Sequence, residues 1–302
     1  MKTISLVLGS GGARGLAHIG IIRYLEEHDF QIKSIAGCSA GALIGGVYAA
    51  GKLDEFEEWV RAITKLDMVR LLDISWRGPG FFRGDKFINA LVDLVGEQAI
   101  EDLPIKFTAI AADIKNEKEV WLTSGDLFEA IRASISLPLF FTPMERNGSI
   151  LIDGGVLNPV PIAPTFGDET DITIAVNLGG RVDSSLNKKP EKKVKPKIEV
   201  DEDSPMRLKI ASYIQQMQIN PNRNKKNKPD DIDRSMGMVD VANQAFESMQ
   251  STIAKQKLAA YPPDHTIEIP RNACRTLEVD RAEEMIELGY ERAKAYFEQL
   301  QN

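Results

Sequence analysis

Residues 37–41 read Gly37-Cys38-Ser39-Ala40-Gly41, after a short apolar stretch from Ile32 to Ala36 and before an apolar helical pattern from Leu43 to Ala50. A strand that passes straight into a helix through such a turn holds its serine on a sharp corner. The small residues two positions to either side let neighbouring backbone pass close by. A chain built this way needs a sheet with helices packed on it. The same pentapeptide also occurs in glycine-rich turns that carry an ordinary serine, so its reading depends on what accompanies it.

The chain begins with a candidate strand, Thr3 to Leu8, followed by Gly9-Ser10-Gly11-Gly12-Ala13-Arg14-Gly15. An amphipathic helix then carries Leu16, Ile19, Ile22 and Leu25 on one side. Glycines between a strand and a helix leave backbone N–H groups free to point at an anion, aided by the helix N-terminal dipole. A dinucleotide loop fails because Arg14 stands where the third glycine belongs, and no Gly-Lys-Ser/Thr ending marks a P-loop. What remains is an oxyanion hole, whose donors are typically worth about 3–4 kcal/mol each in acyl transfer.

Asp153-Gly154-Gly155 follows a predicted strand, Ser149 to Ile152. Alone it reads as a turn. Beside the other two motifs it supplies a base, because a serine hydroxyl is a poor nucleophile at neutral pH without a proton acceptor in reach. Partial burial would raise the aspartate's pKa and make it a better acceptor.

In this order the three motifs resemble those of the patatin-like phospholipases, especially their small bacterial members. The similarity continues through Ala133-Ser134-Ile135-Ser136-Leu137-Pro138-Leu139-Phe140 and Asn158-Pro159-Val160-Pro161, and weakly to Tyr261-Pro262-Pro263-Asp264. It covers most of the chain apart from a polar insert. Ser10 departs from the glycine many members carry, but a small residue there leaves the loop's role intact.

The resemblance implies a three-layer α/β/α sandwich with a mainly parallel sheet. It implies a Ser-Asp dyad without histidine, in which Ser39 attacks an acyl carbonyl and Asp153 takes the proton. The resulting oxyanion would sit on the N–H groups of Gly11, Gly12 and Ala40, and water would deacylate the serine. Histidine is present only at His18, His28 and His265. His265 alone satisfies the Ser…Asp…His order of α/β-hydrolases, and the Asp153 motif fits better. Arg14 has two readings, a contact for a substrate phosphate or a salt bridge at the helix start.

The length suits one large α/β domain or two small ones, and we expect a single hydrolase domain over residues 1–302. A net charge of −7 without a basic groove argues against nucleic-acid binding. Two cysteines, Cys38 and Cys274, make no disulfide framework, so a reducing cytoplasm is the default. The apolar run at the N-terminus is too short for a signal peptide, and no stretch approaches the roughly 20 apolar residues that span a bilayer. Contact with lipid is therefore expected from the surface, at the periphery of a membrane.

Strand and helix alternate through the first 60 residues, as in a parallel sheet covered on both faces. Phe107 to Ala112 and Val120 to Thr123 flank a turn at Lys115-Asn116 and read as a hairpin. Residues 181–235 form a polar insert of alternating basic and acidic blocks. Within it Met206, Ile210, Ile214 and Met217 recur at helical spacing, either as a lid beside the site or as a helix packed on the body or a second subunit. Two helices follow, Val239 to Ala259 and Ala282 to Leu300. The second has Asp280 as N-cap and a core stripe of Ala282, Met285, Ile286, Gly289, Ala293, Tyr296 and Phe297.

A loop from Trp76 to Phe82 gathers Trp76, Phe81 and Phe82 among turn residues, and Leu137, Pro138, Leu139, Phe140 and Phe141 lie in the later motif. Either set serves as the apolar wall of an acyl-chain site or as a core anchor. Neither a cofactor nor a metal is expected. Asp231-Ile232-Asp233-Arg234-Ser235 starts like a calcium loop, but its glycine comes one place late and the closing glutamate is missing.

The expected function is a serine acyl hydrolase acting on phospholipid, lysophospholipid or simpler esters. Two rivals remain: a regulatory or adaptor protein with an intact site, and an acyltransferase of the same serine architecture.

Overall fold

The computed structural model describes residues 1–71, 80–187 and 233–301. The first part runs β1 (Lys2–Leu8), α1 (Ala17–Glu27), β2 (Phe30–Cys38), α2 (Ala40–Ala49), α3 (Leu53–Ala62) and α4 (Lys65–Leu71). Then come β3 (Gly80–Phe82), α5 (Asp85–Val95), β4 (Lys106–Asp113), β5 (Lys118–Leu122) and α6 (Leu127–Ser134). Four strands follow: β6 (Leu139–Phe141), β7 (Met144–Arg146), β8 (Ser149–Asp153) and β9 (Ile172–Gly180). The chain closes with α7 (Asp233–Ala260), β10 (His265–Pro270) and α8 (Ala282–Gln301).

Eight strands form one sheet in the order β10-β9-β1-β2-β4-β8-β7, with β5 also on β4. The run from β10 to β4 is parallel throughout. Strands β5 and β8 join β4 antiparallel, the former as the expected hairpin, and β7 pairs antiparallel with β8. A parallel sheet must be covered on both faces, so its strands are apolar through and through. From Ile4 to Leu8, β1 is wholly buried.

Its side chains show the layers. Ile4, Leu6 and Leu8 join the main core with residues of α1, α2 and α8, whereas Val7 packs in a second cluster with Ala175, Val160 and Ala254 of α7. Alternate strand residues point to opposite faces, so helices lie on both sides and the architecture is the expected three-layer α/β/α sandwich.

Local sequence explains the helices that frame the site. In α3, Leu53, Phe56, Trp59 and Val60 are buried at helical spacing, with Asp54 and Glu55 in the first turn and Arg61 in the last. Asp126 caps α6, its carboxylate accepting the Glu129 N–H at 2.7 Å. The stripe foreseen on α8 faces the core: Met285, Ile286, Ala293 and Phe297 are buried, the three larger side chains contributing roughly 1.5–3 kcal/mol each. Asp280 is not the cap of that helix. It lies inside a 3-10 turn, Val279–Arg281, that leads into α8 and moves the start of the helical run upstream.

Helix α7 starts six residues before the sequence-based boundary at Val239. Most of the polar insert, including residues 206–217, lies outside the described residues, as does Trp76.

Candidate active site

Ser39 stands between β2 and α2 with φ 54° and ψ −121°. Such backbone costs a non-glycine residue on the order of 1–3 kcal/mol and persists only where the surroundings impose it. They do. The Ser39 N–H donates to Ser134 Oγ at 2.8 Å, and the Ser134 hydroxyl donates to the Ile110 carbonyl at 2.6 Å. The Ser39 carbonyl accepts from Ala42 and Leu43 at 2.9 and 3.1 Å, fixing the first turn of α2. A side chain at Gly41 would overlap the Leu8 carbonyl oxygen, so the helix can start here only because that position is glycine.

Asp153 reaches Ser39 through the sheet. Strand β2 runs along β4 until Cys38 sits opposite Ile110, and β8 comes the other way until Asp153 sits opposite Ala111. Strand β5 fills the other edge of β4 over residues 109–113, so β2 and β8 share one edge and end head to head. The Ser39 hydroxyl donates to Asp153 Oδ2 at 2.6 Å, and the Gly155 N–H donates to Oδ1 at 2.7 Å. The Asp153 N–H donates to the Ser136 carbonyl at 3.0 Å. The stretch of residues 134–136 thus holds the backbone of both residues, a role no sequence pattern announces.

Asp153 is fully buried, and burial raises its pKa from 3.8 to about 6 against the opposing pull of the Ser39 and Gly155 hydrogen bonds. Ser39 is 8% exposed. Cys38 packs beside them, its Sγ 4.0 Å from Asp153 Oδ1. Burial and then the Asp153 charge push its pKa well up, so it stays a neutral thiol.

The glycine loop leaves β1 level with the elbow, since Leu8 pairs with Gly37. Gly9 N–H donates to Val176 O, Ser10 N–H to Pro159 O and Ala13 N–H to Thr276 O. No loop or side-chain hydrogen bond among the described residues uses the N–H of Gly11, Gly12 or Ala40. Ala40 opens α2, where an N–H has no acceptor within the helix. The loop also abuts the elbow, because a Cβ on Gly15 would collide with Ala40 Cβ. Three N–H donors of the glycine loop and the elbow are therefore unused among the described residues. His18, wholly buried, donates from Nε2 to the Gly9 carbonyl at 2.9 Å, and burial lowers its pKa to about 4, so it anchors the loop as a neutral ring.

Arg14 is buried, and its guanidinium faces inward. It donates to the carbonyls of Arg271 and Cys274 and forms a 3.0 Å ion pair with Glu247 of α7, an arrangement close to the salt-bridge reading of the sequence. Helix α7 crosses the rim of the site. Gln250 Nε2 donates to Ser10 Oγ at 3.1 Å, and Gly155 lies where Gln250, Ser10 and Asp153 converge. Nothing in the sequence marked Gln250.

His265 is placed apart. It opens β10 opposite Ile174, three strand steps from β2 or about 14 Å across the sheet, and its Nδ1 lies 3.3 Å from the Tyr296 hydroxyl. Of the apolar segments, β3 and β6 come together as a two-stranded sheet, with Phe82 opposite Phe141 and ring centroids 6.5 Å apart. The second segment starts from Ser136, which holds Asp153. Pro138 and Phe141 are half-buried, Phe140 is buried and Leu139 is exposed with φ 71°. The side chain of Phe81 lies outside the described residues.

Residues 6–166 match the family model described as patatin-like phospholipase. An uncharacterized NTE family protein of Mycobacterium tuberculosis is 39% identical, the match spanning 95% of this chain and 89% of that protein. Lysophospholipase NTE1 of Yarrowia lipolytica is 31% identical over 61% of this chain and 13% of its own length. The crystal structure of VipD from Legionella pneumophila has a TM-score of 0.58 at 15% identity, covering 99% of this chain and 67% of that one. The chain belongs to the patatin-like phospholipase family.

Proposed function

We propose that the protein is a serine acyl hydrolase that cleaves carboxylic esters of lipids, with Ser39 as nucleophile and Asp153 as base. The observation that carries this reading is the 2.6 Å hydrogen bond from Ser39 Oγ to a buried carboxylate with its pKa raised to about 6. Such a carboxylate is ionised at neutral pH yet basic enough to share the hydroxyl proton as Oγ attacks.

As the Oγ–C bond forms, the carbonyl oxygen takes up negative charge that the N–H groups of Gly11, Gly12 and Ala40 would receive. Asp153 holds the proton from Ser39 and delivers it to the leaving alcohol when the tetrahedral intermediate collapses. Water then attacks the acyl-enzyme with Asp153 again as base. The leaving alcohol is glycerol-based where the substrate is a phospholipid or lysophospholipid, a reading supported by the family and by the name of the Yarrowia relative. No helix among the described residues is long and apolar enough to cross a membrane. The reading therefore has the protein meet lipid at a membrane periphery, with residues 1–302 as one catalytic unit and 181–235 as an insert in it.

Labelling with a fluorophosphonate probe tests this, with Ser39→Ala and His265→Ala in parallel and intact mass as readout. One adduct, lost in Ser39→Ala and kept in His265→Ala, is the expected result. No adduct on folded protein would sink the hydrolase reading and favour a binding role.

A further inference from the structure

Between the glycine loop, the end of β9 and α7 lies a cavity of about 310 Å³, lined by Ser10, Arg14, Asn177, Glu247, Ser251 and Arg271 among others. Hydroxyls, amides and charged groups dominate its wall, which makes it a poor place for an acyl chain. It adjoins the site, because Ser10 immediately precedes Gly11 and is itself tied to Gln250.

Two cations lie on this wall, Arg14 buried and Arg271 exposed. Arg14 is 5% exposed, and while Nη1 and Nη2 are engaged, its Nε has no partner. Arg271, whose carbonyl receives Arg14 Nη1, has no acceptor for its own guanidinium among the described residues. Among the described residues the one carboxylate on the wall, Glu247, already accepts from Arg14 and from the Thr276 hydroxyl. The nearby Glu268 is engaged by Asn177 Nδ2 at 3.3 Å. On the wall itself, among the described residues, two guanidinium groups thus stand against one carboxylate, with Glu268 behind Asn177 outside it. Arg14 Nε is closed off from the cavity, whereas the exposed guanidinium of Arg271 is open to it, and an oxyanion there would give Arg271 a charge-assisted acceptor.

We propose that this cavity is a subsite for a phosphate-bearing group, held by Arg271 with Arg14 behind it. A phosphate ester seated here lies beside the loop that faces the reacting carbonyl, so one lysophospholipid molecule can engage both places. The lipid source of the phosphate rests on the hydrolase reading above; the phosphate site does not.

Calorimetric titration of the full chain with sn-glycerol 3-phosphate, inorganic phosphate and glycerol tests the site without turnover. Glycerol 3-phosphate should bind and glycerol should not. Arg271→Gln should weaken binding by on the order of tenfold, and Arg271→Lys should recover part of it. Absence of binding to the wild type, or equal affinity in Arg271→Gln, overturns the proposal.

Kinetics then identify the source. If the phosphate arrives on the substrate, the ratio of kcat/KM for a lysophosphatidylcholine to that for a monoacylglycerol of the same chain falls in Arg271→Gln. Phosphate binding with an unchanged ratio assigns the subsite to free phosphate. Phosphate binding in a protein that hydrolyses neither ester keeps the subsite and removes the hydrolase.

Discussion

Ser39 and Asp153 lie 114 positions apart in sequence and meet at 2.6 Å because their strands end on consecutive residues of β4, Ile110 and Ala111. The pair is thus built into the register of the sheet rather than into a flexible loop. A one-residue slip of β8 would turn the Asp153 side chain to the opposite face.

Asp153→Asn tests the proposed base most directly. An amide cannot take the serine proton, so kcat should fall by roughly 10²–10⁴-fold while KM changes little. In the wild type the raised pKa sets the acidic limb of the profile. Below about pH 6 the carboxyl is protonated and cannot act, so kcat/KM should climb through pH 6 to a plateau. A pH–rate series on a soluble ester reads both, and near wild-type turnover in Asp153→Asn removes Asp153 from the mechanism.

The same substitution should stabilise the protein at neutral pH. Folding raises the Asp153 pKa from 3.8 to about 6, so the folded state binds the proton more tightly than the unfolded chain. Stability contributed by the protonated form is fully present below 3.8 and is lost as pH rises through 6. Above that range the buried charge opposes folding by on the order of 3 kcal/mol. Urea unfolding should therefore show Asp153→Asn more stable than wild type at about pH 8, with the gap closing by about pH 4. Equal stability at both values would mean the carboxylate is well solvated or fully compensated.

Ser134→Ala should damage the elbow without touching the dyad. It leaves the Ser39 N–H without an acceptor and the Ile110 carbonyl without a donor, both in buried surroundings. An unsatisfied buried group costs about 1–3 kcal/mol. We expect a loss of stability in that range and a fall in kcat of at least tenfold, as Ser39 relaxes from its strained backbone. The rate of fluorophosphonate labelling measures the second effect, and an unchanged rate would show that the helix and sheet hold Ser39 by themselves.

Much of this site can be read along the chain, and the reason is local. The elbow, the glycine loop and the strand before Asp153 each consist of a strand end plus small residues, and such signals occupy a few consecutive positions. The hairpin of β4 and β5 and the core stripe of α8 are legible for the same reason, being periodic. What sequence does not disclose is contact across distance. Ser134 and Ser136 fall in a segment that the family resemblance picks out, but their hydrogen bonds to the backbones of Ser39 and Asp153 emerge only once β4 and β8 are placed. Gln250 has no local pattern at all, since it matters only because α7 packs across the rim of the sheet. Asp280 reads as a cap because the 3-10 turn ahead of α8 shares the residue preferences of a helix start.

Gly15→Ala separates the glycine loop from the dyad. The added methyl would lie 2.3 Å from the Ala40 Cβ, against 3.4–4 Å for ordinary contact, so the two backbones would have to part by about an ångström to admit it. Ala40 and the loop of Gly11 and Gly12 are proposed to supply donors to one developing oxyanion, so even a small separation spoils a geometry that must be met to within about half an ångström. The hydrogen bond between Ser39 and Asp153 lies on the other side of Ser39 and should survive. The variant should then lose on the order of 10²-fold in kcat, as expected for one misplaced oxyanion donor, while the acidic limb of its pH profile stays near 6. A shifted limb would show that the loop acts on Asp153 itself. Wild-type kcat would show that Gly11, Gly12 and Ala40 do not work together as the acceptor of charge.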